Sequence, residues 1–256
     1  REILEELNRR LPQHTHADWM ANIAGWKAAY PLCQTASDPN GVTPQEVLET
    51  LSDLTNDDAI ICTDVGQHQM WAAQFYRFRQ PKARATLLVE LHLLGPHGGT
   101  RRFGGFGLGA ALGAQVANPD ARVINIAGDG SFHMNCNELA TAVAYNIPVM
   151  ELVFNNSVLG MVRQWQTLFY DHRYSHTVLN DAVDFVKISE GMGAKAIRVT
   201  KMEEVEPALK EALSSDGPVV LDCWIDQDLS VFPMVPAGAN IDDVFDEEDM
   251  KNEQSV

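Results

Sequence analysis

From residue 59 to residue 225, short apolar stretches alternate with longer amphipathic ones, and this alternation limits the fold more than any other feature. AIICT (59–63), RVINIA (122–127), PVMELVF (148–154), KAIRVT (195–200) and PVVLDCWI (218–225) have the length and β-branched content of buried strands. HQMWAAQFYRF (68–78), GFGLGAALGAQVA (105–117), NCNELATAVAYN (135–146), LGMVRQWQTLF (159–169), DAVDFVKISEGMG (181–193) and MEEVEPALKEALSS (202–215) read as helices. Strands joined through helices run parallel, so the pattern predicts an α/β fold: a parallel sheet with helices on both faces. A further helix precedes it in VTPQEVLETLSDLT (42–55), with Thr43 as N-cap, Pro44 at the first helical position and Glu46 completing a capping box. RATLLVELHLLGPHGGTRRFGG (84–105) fits no strand or helix register.

The flanks differ in character. Residues 1–40 hold a polar helix ending at Pro12, a second helix carrying Trp19 and Trp26 that Pro31 closes, and the turn-rich TASDPNG. They read as the tail of a preceding domain and a linker, with the main domain at 41–225 and an acidic tail, including DDVFDEED, at 226–256. The first residue already lies in a helical pattern with no initiator Met, so the chain is expected to be a piece of a longer polypeptide.

A formal net charge of −16 repels nucleic acid and anionic membrane, and neither is expected as a partner. It does not exclude an anionic ligand held locally by backbone N–H groups and a metal. Cys33, Cys62, Cys136 and Cys223 form no C-x-x-C pair, so neither a disulfide framework nor a zinc site is expected. Cys62 and Cys223 fall in strands and read as buried thiols. With no signal peptide and no apolar run long enough to span a bilayer, a reducing cytoplasm is the expected location.

One strand runs straight into Gly128-Asp129-Gly130, and the next ends in Asn155-Asn156. Ligands of open parallel sheets bind at the carboxyl ends of strands. A right-handed crossover brings two such ends side by side, making Asp129 and Asn156 neighbours. A carboxylate, an amide oxygen and a loop carbonyl suit Mg²⁺, which takes further oxygens from a phosphate. Gly128 and Gly130 allow a bulky anion close to the backbone. Asn135 and Glu138 form a capping-box pattern for a following helix, whose N-terminal field would add to the site. The competing reading is a plain turn after each strand.

GDG through NN resembles the thiamin-diphosphate motif. The continuation NNSVLGMVRQWQTLFYDHRYSH (155–176), with TDVGQHQMWAAQFY (63–76) and VFPMVPAGANIDD (231–243), is similar to the acetolactate synthase (acetohydroxyacid synthase) large-subunit family over most of residues 15–245. The resemblance implies a thiamin-diphosphate-binding domain of the diphosphate type. It implies Mg²⁺ on Asp129, Asn156 and the backbone carbonyl of Val158. It places the cofactor against Val65, Gly66, Gln67, His68, Gly128, Gly130, Ser131, Leu159, Gly160 and Met161, with Gln67 and His68 hydrogen-bonding the diphosphate and Met161 beside the ring. Trp165 matches a wall of the pocket for the second 2-oxoacid, and Arg163 a possible anchor for a substrate carboxylate. Read alone, Met161 and Trp165 are core residues and His68 a surface histidine. His172 and His176, at i and i+4, lack a third ligand and read as solvated or interface residues.

The implied reaction joins pyruvate, with loss of CO₂, to pyruvate or 2-oxobutyrate, on the route to valine, leucine and isoleucine. In that family the activating glutamate lies in a pyrimidine domain and FAD in a middle domain; this sequence is expected to lack the first and to hold no more of the second than its last helices, residues 1–20. The active site there forms between domains of two chains, so a homo-oligomer, with a possible regulatory subunit, is implied. By itself this chain is expected to hold no catalytic residue and to turn over little. In residues 84–105 it departs from the family, and Gly104 falls where a cofactor-propping Met is expected. Another thiamin-diphosphate decarboxylase or carboligase, and a non-catalytic cofactor-binding module, are the alternatives.

Overall fold

The structure is a computed structural model that describes residues 2–12, 15–29, 32, 41–78, 87–88, 105–179, 183–236, 238–247 and 249. The chain divides into two compact units, Arg1–Cys33 and Gln34–Val256. The first holds α1 (Glu2–Arg10) and α2 (Ala17–Ala29), neither of which buries a residue. Glu6 pairs with Arg9 and Arg10 along α1, and Trp19 meets Trp26 edge-on at 5.5 Å along α2.

The second unit is the strand–helix alternation. Its elements are α3 (Pro44–Leu54), β1 (Ile60–Thr63), α4 (Gln67–Phe75), β2 (Leu87–Leu88), α5 (Gly107–Ala117), β3 (Val123–Gly128), α6 (Asp129–Asn135) and α7 (Glu138–Ala144). They continue with β4 (Met150–Asn155), α8 (Gly160–Phe169), α9 (Phe185–Gly191), β5 (Lys195–Val199), α10 (Met202–Leu213), β6 (Val219–Trp224) and a 3₁₀ turn at Ile241–Asp243. The strands form one sheet in the order β2-β1-β3-β4-β6-β5, and every pairing is parallel.

The pleat sorts the core into two layers, because successive strand side chains point to opposite faces. On one face Ile61, Ile124, Ile126, Leu152 and Leu221 pack against Leu48 and Leu51 of α3, Trp71 of α4 and Leu209 of α10. On the other, Ile60, Cys62, Val123, Val153 and Val220 pack against Leu108 and Leu112 of α5, Leu139 of α7 and Phe185 of α9. A sheet covered on both faces needs apolar residues at consecutive positions, which is why its strands read as continuous apolar runs. Cys62 and Cys223 are fully buried free thiols, as expected, and burial pushes the Cys62 thiol up to about 12. Thr43 caps α3: its hydroxyl accepts the Glu46 N–H at 3.3 Å and donates to the Glu46 carboxylate at 2.8 Å. Among the described residues, no helix is long and apolar enough to cross a membrane.

Four expectations are corrected. The helix expected at 135–146 is the shorter α7, Glu138–Ala144, and an additional helix, α6, precedes it and starts at Asp129, directly on the strand end. The Ser131 hydroxyl donates to the Gly128 carbonyl and accepts the Gly128 N–H, both at 3.0 Å, which closes the first turn there. The Asn135–Glu138 capping box does not form, because Asn137 is the N-cap of α7 and sits in helical backbone angles with no side-chain cap bond. Part of the unassigned 84–105 stretch is a strand, Leu87–Leu88, paired with Cys62 and Thr63; residues 84–86 and 89–104, Gly104 included, lie outside the described residues. The segment expected as an acidic tail from 226 returns to the body. Val231 is buried in the core, and the backbones of Met234 and Phe245 exchange two hydrogen bonds of 2.9 Å. Side chains of α4 and α8 hold this segment: Gln74 donates to the Phe232 carbonyl and Gln164 to that of Val231, each at 2.9 Å.

Candidate functional site

The chain leaves β1 for β2 on one side and returns to β3 on the other, so the strand order reverses beside β1. Such a reversal opens a crevice at the carboxyl ends of the strands. A cleft of about 370 Å³ occupies that place. Its walls come from the loop after β1 (Val65, Gly66), the start of α4 (Gln67, His68), the end of β3 with the start of α6 (Gly128 to Ser131), and the turn from β4 into α8 (Asn156 to Met161). Gln67, Asp129 and Gly160 are the first residues of α4, α6 and α8. The N-terminal ends of three helices, with their positive field, therefore lie at one cleft, an arrangement suited to an anion.

All thirteen residues expected at the cofactor and metal, from Val65 to Met161, line this cleft. Asp129 and Asn156 meet there because β3 and β4 pair in register through Gly128 and Phe154. Asp129 Oδ1 accepts the Gly130 N–H at 2.8 Å, while Asp129 Oδ2 is buried with no partner. Burial raises the Asp129 carboxyl to about 7, against the backbone N–H groups of Gly130 and Ser157, which lower it. A buried, bare carboxylate oxygen is costly unless a cation neutralises it. Asn156 Oδ1 accepts the Val158 N–H at 3.3 Å, which fixes that oxygen and leaves it a lone pair. A carboxylate and an amide oxygen beside a loop carbonyl form an oxygen donor set that fits Mg²⁺.

His68 is buried rather than a surface residue, its ring lying against the Cα atoms of Gly66 and Gly128. Burial lowers its pKa to about 4, although a hydrogen bond to the Asp64 backbone carbonyl opposes the shift. That bond occupies one ring nitrogen; Nε2 is buried without a partner. In the neutral ring Nε2 accepts rather than donates. The unfolded chain protonates His68 near pH 6.5 and the folded one near 4, so this residue's contribution to stability is lost as pH falls through that window. By pH 5 the loss is about 2 kcal/mol. The raised Asp129 acts in the opposite sense, so the effect is read as a difference: denaturant unfolding at pH 7 and pH 5 gains on acidification in His68→Gln relative to wild type.

Gln67 lines the cleft with its side-chain amide engaged within the protein. Its Nε2 donates to Gln164 Oε1 at 2.7 Å and to the Leu229 carbonyl at 3.0 Å, so both amide hydrogens are used inside the protein. Gln67 Oε1 alone is free, and an acceptor cannot bond a phosphate oxygen. Arg163 and Trp165 do not line the cleft. The Arg163 guanidinium pairs with Asp228 at 2.7 Å and stacks on Tyr174 at 4.1 Å, so a substrate carboxylate would have to displace Asp228. Trp165 is 42% exposed and meets Phe169 edge-on. His172 bonds the Tyr174 hydroxyl at 3.1 Å, and no metal-holding group of three His, Cys, Asp or Glu occurs among the described residues.

The sequence reading missed four cleft residues: Trp71, Met134, Phe154 and Val162. Trp71 lies within the GQHQMW motif and could have been found there. Met134 faces the cleft only because α6 starts at Asp129. A second cavity of about 140 Å³ behind Asp129, with Arg198, Asp184 and Trp224 in its wall, was also missed. It depends on β5 and β6 lying together, which no local motif announces.

Residues 64–223 match the family described as thiamine pyrophosphate enzyme, C-terminal TPP binding domain. The chain is 43% identical over 242 residues to the mitochondrial acetolactate synthase catalytic subunit of Saccharomyces cerevisiae, covering 93% of this chain and 33% of that protein. It is 45% identical over 233 residues to the acetolactate synthase large subunit of Corynebacterium glutamicum, covering 89% of this chain and 36% of the relative. Against the chloroplastic acetolactate synthase 3 of Brassica napus the identity is 41% over 238 residues, covering 90% and 35%. The chain thus spans about a third of the length of these relatives. The cleft between β1, β3 and β4 lies within the matched residues, and the chain belongs to the thiamine pyrophosphate enzymes, as their C-terminal TPP binding domain.

Proposed function

We propose that the chain is the cofactor-binding part of an acetolactate synthase catalytic subunit, joining pyruvate to a second 2-oxoacid with loss of CO₂. The observation that carries this reading is the unpartnered Asp129 Oδ2 beside Asn156 and Val158, in a cleft that also collects the helix starts at Gln67, Asp129 and Gly160. Asp129 Oδ2, Asn156 Oδ1 and the Val158 carbonyl would hold Mg²⁺, and the start of α6 at Gly130 and Ser131 would lie against the diphosphate. Thiamin diphosphate, when bound, supplies an electron sink for the pair released as a 2-oxoacid loses CO₂.

The protein's share is placement. Val65 and Gly66 bring the backbone close to the ligand, Leu159 and Met161 give an apolar wall, and Met161 stands at the opening of α8. Trp165, one helical turn further along α8, is assigned to the acceptor pocket, and Arg163 to its rim through Asp228. The pyrimidine domain with its activating glutamate, the FAD-binding domain, pairing with a second copy and a regulatory subunit belong to the whole protein in this reading. A cytoplasmic location is part of it, supported by the free thiols of Cys62, Cys136 and Cys223; the yeast and Brassica relatives are named mitochondrial and chloroplastic.

The test supplies the missing part in trans. The chain is mixed with a pyrimidine-domain fragment, Mg²⁺, thiamin diphosphate, FAD and pyruvate, and acetolactate is measured. Product that depends on both pieces and disappears with Asp129→Asn supports the reading. Pyruvate loss that yields acetaldehyde and no acetolactate overturns it in favour of a simple decarboxylase.

A further inference from the structure

Gln164 is buried on α8, outside the cleft, yet both ends of its amide are engaged. Its Oε1 accepts the Val231 N–H at 3.0 Å and Gln67 Nε2 at 2.7 Å, and its Nε2 donates to the Val231 carbonyl at 2.9 Å. This two-way bond to one backbone residue fixes which end of Gln164 is oxygen. Gln164 in turn fixes Gln67: turning the Gln67 amide over would set its oxygen against Gln164 Oε1 and the Leu229 carbonyl, with no proton between them. Gln67 Oε1 therefore points away from this cluster, buried and without a partner.

That oxygen is aimed at Gly160 and Asn156. A Cβ built on Gly160 would overlap Gln67 Oε1 and lie 2.9 Å from Asn156 Nδ2, so the two amide ends converge on the bare face of Gly160. A buried acceptor with no donor is unfavourable, and Asn156 Nδ2 is a donor within a side-chain adjustment of it. The same bond would leave Asn156 Oδ1 as the only atom of that amide able to face a cation.

We propose that Gln67 is a positioning residue for the divalent ion: it accepts a hydrogen bond from Asn156 Nδ2, holds Asn156 Oδ1 toward the metal, and through Gln164 ties this orientation to the 229–231 backbone. The proposal deepens the cofactor-site reading and rests on it. An amide ligand has one useful end, and a neighbour that fixes the end presented tunes metal affinity without touching the metal.

The test is a double-mutant cycle on the full chain with Mn²⁺ as the probe, read by electron paramagnetic resonance in the presence of thiamin diphosphate. Gln67→Met keeps length and removes the acceptor; Mn²⁺ affinity falls roughly tenfold, the effect of one buried hydrogen bond. Gln164→Met, at a residue whose side chain hydrogen-bonds no cleft residue but Gln67, weakens Mn²⁺ in the same direction. In an Asn156→Asp background both side-chain ends are oxygen, orientation no longer matters, and Gln67→Met costs nothing. Thermal melts without metal separate folding from binding, since a merely structural role for Gln67 lowers Tm equally in both backgrounds and leaves Mn²⁺ affinity unchanged. Equal loss of Mn²⁺ affinity in the wild-type and Asn156→Asp backgrounds, or no loss in either, overturns the proposal while wild-type binding upholds the cofactor site. Absence of Mn²⁺ binding by wild type overturns both.

Discussion

Without divalent cation at pH 8, Asp129→Asn melts above wild type, and adding Mg²⁺ with thiamin diphosphate reverses the order. Burial lifts the Asp129 carboxyl to about 7, because Oδ2 has lost water and gained no partner. The unfolded chain loses this proton near the ordinary carboxylate pKa of 3.8. A folded-state pKa above the unfolded value means stability is lost as pH rises through that window, and the loss is complete above pH 7. Three pKa units amount to roughly 4 kcal/mol. Asparagine keeps the shape, carries no charge and escapes this cost. The advantage of the variant shrinks as pH falls from 7 and disappears near 4. Bound Mg²⁺ neutralises the carboxylate and stabilises wild type in proportion to its affinity, and the variant gains little. Melting curves at pH 5 and pH 8, each with and without Mg²⁺ and cofactor, separate the four cases. A variant less stable than wild type in metal-free buffer at pH 8 would show that Asp129 is a structural carboxylate.

Gly160→Ala weakens thiamin diphosphate binding by at least about tenfold, the effect of forcing a methyl group into a filled space. The added Cβ lands on Gln67 Oε1 and 2.9 Å from Asn156 Nδ2, so both side chains beside the cleft have to move. The closer overlap is with Gln67, which is held from behind by Gln164 and the Leu229 carbonyl, so relieving it breaks those bonds, and Asn156 has to give as well. Gly113→Ala is the control. Gly113 is exposed in α5 with nothing within 4 Å of the place a Cβ would take, and there alanine raises stability by up to about 1 kcal/mol and leaves binding unchanged. Similar cofactor affinities for wild type and Gly160→Ala would mean that the cleft adapts at Gly160.

The strand–helix alternation was legible because a doubly covered parallel sheet demands largely apolar strands, as the buried β1, β3, β4 and β6 are, while β5 at the sheet edge carries Lys195 and Arg198. The meeting of Asp129 with Asn156 was legible for a topological reason: one right-handed crossover leaves few places for consecutive strand ends. Contacts made at long range were not. The return of residues 229–234 depends on carbonyls that accept from Gln67, Gln74 and Gln164, and a glutamine in an amphipathic helix gives no sign of what it will reach. Arg163 looked available for a substrate carboxylate because Asp228, 65 residues away, could not be seen beside it. Helix α6 was missed for a local reason: Gly128-Asp129-Gly130 reads as a turn, yet the reciprocal bonds of Gly128 with Ser131 begin a helix at the strand end.

The most direct test of the central claim is calorimetric titration of thiamin diphosphate into wild type and Asp129→Ala, each with and without Mg²⁺. Wild type binds only with Mg²⁺, and Asp129→Ala loses that dependence together with the affinity. Equal binding by both proteins, or binding by wild type that ignores Mg²⁺, would contradict a divalent ion held at Asp129, Asn156 and Val158.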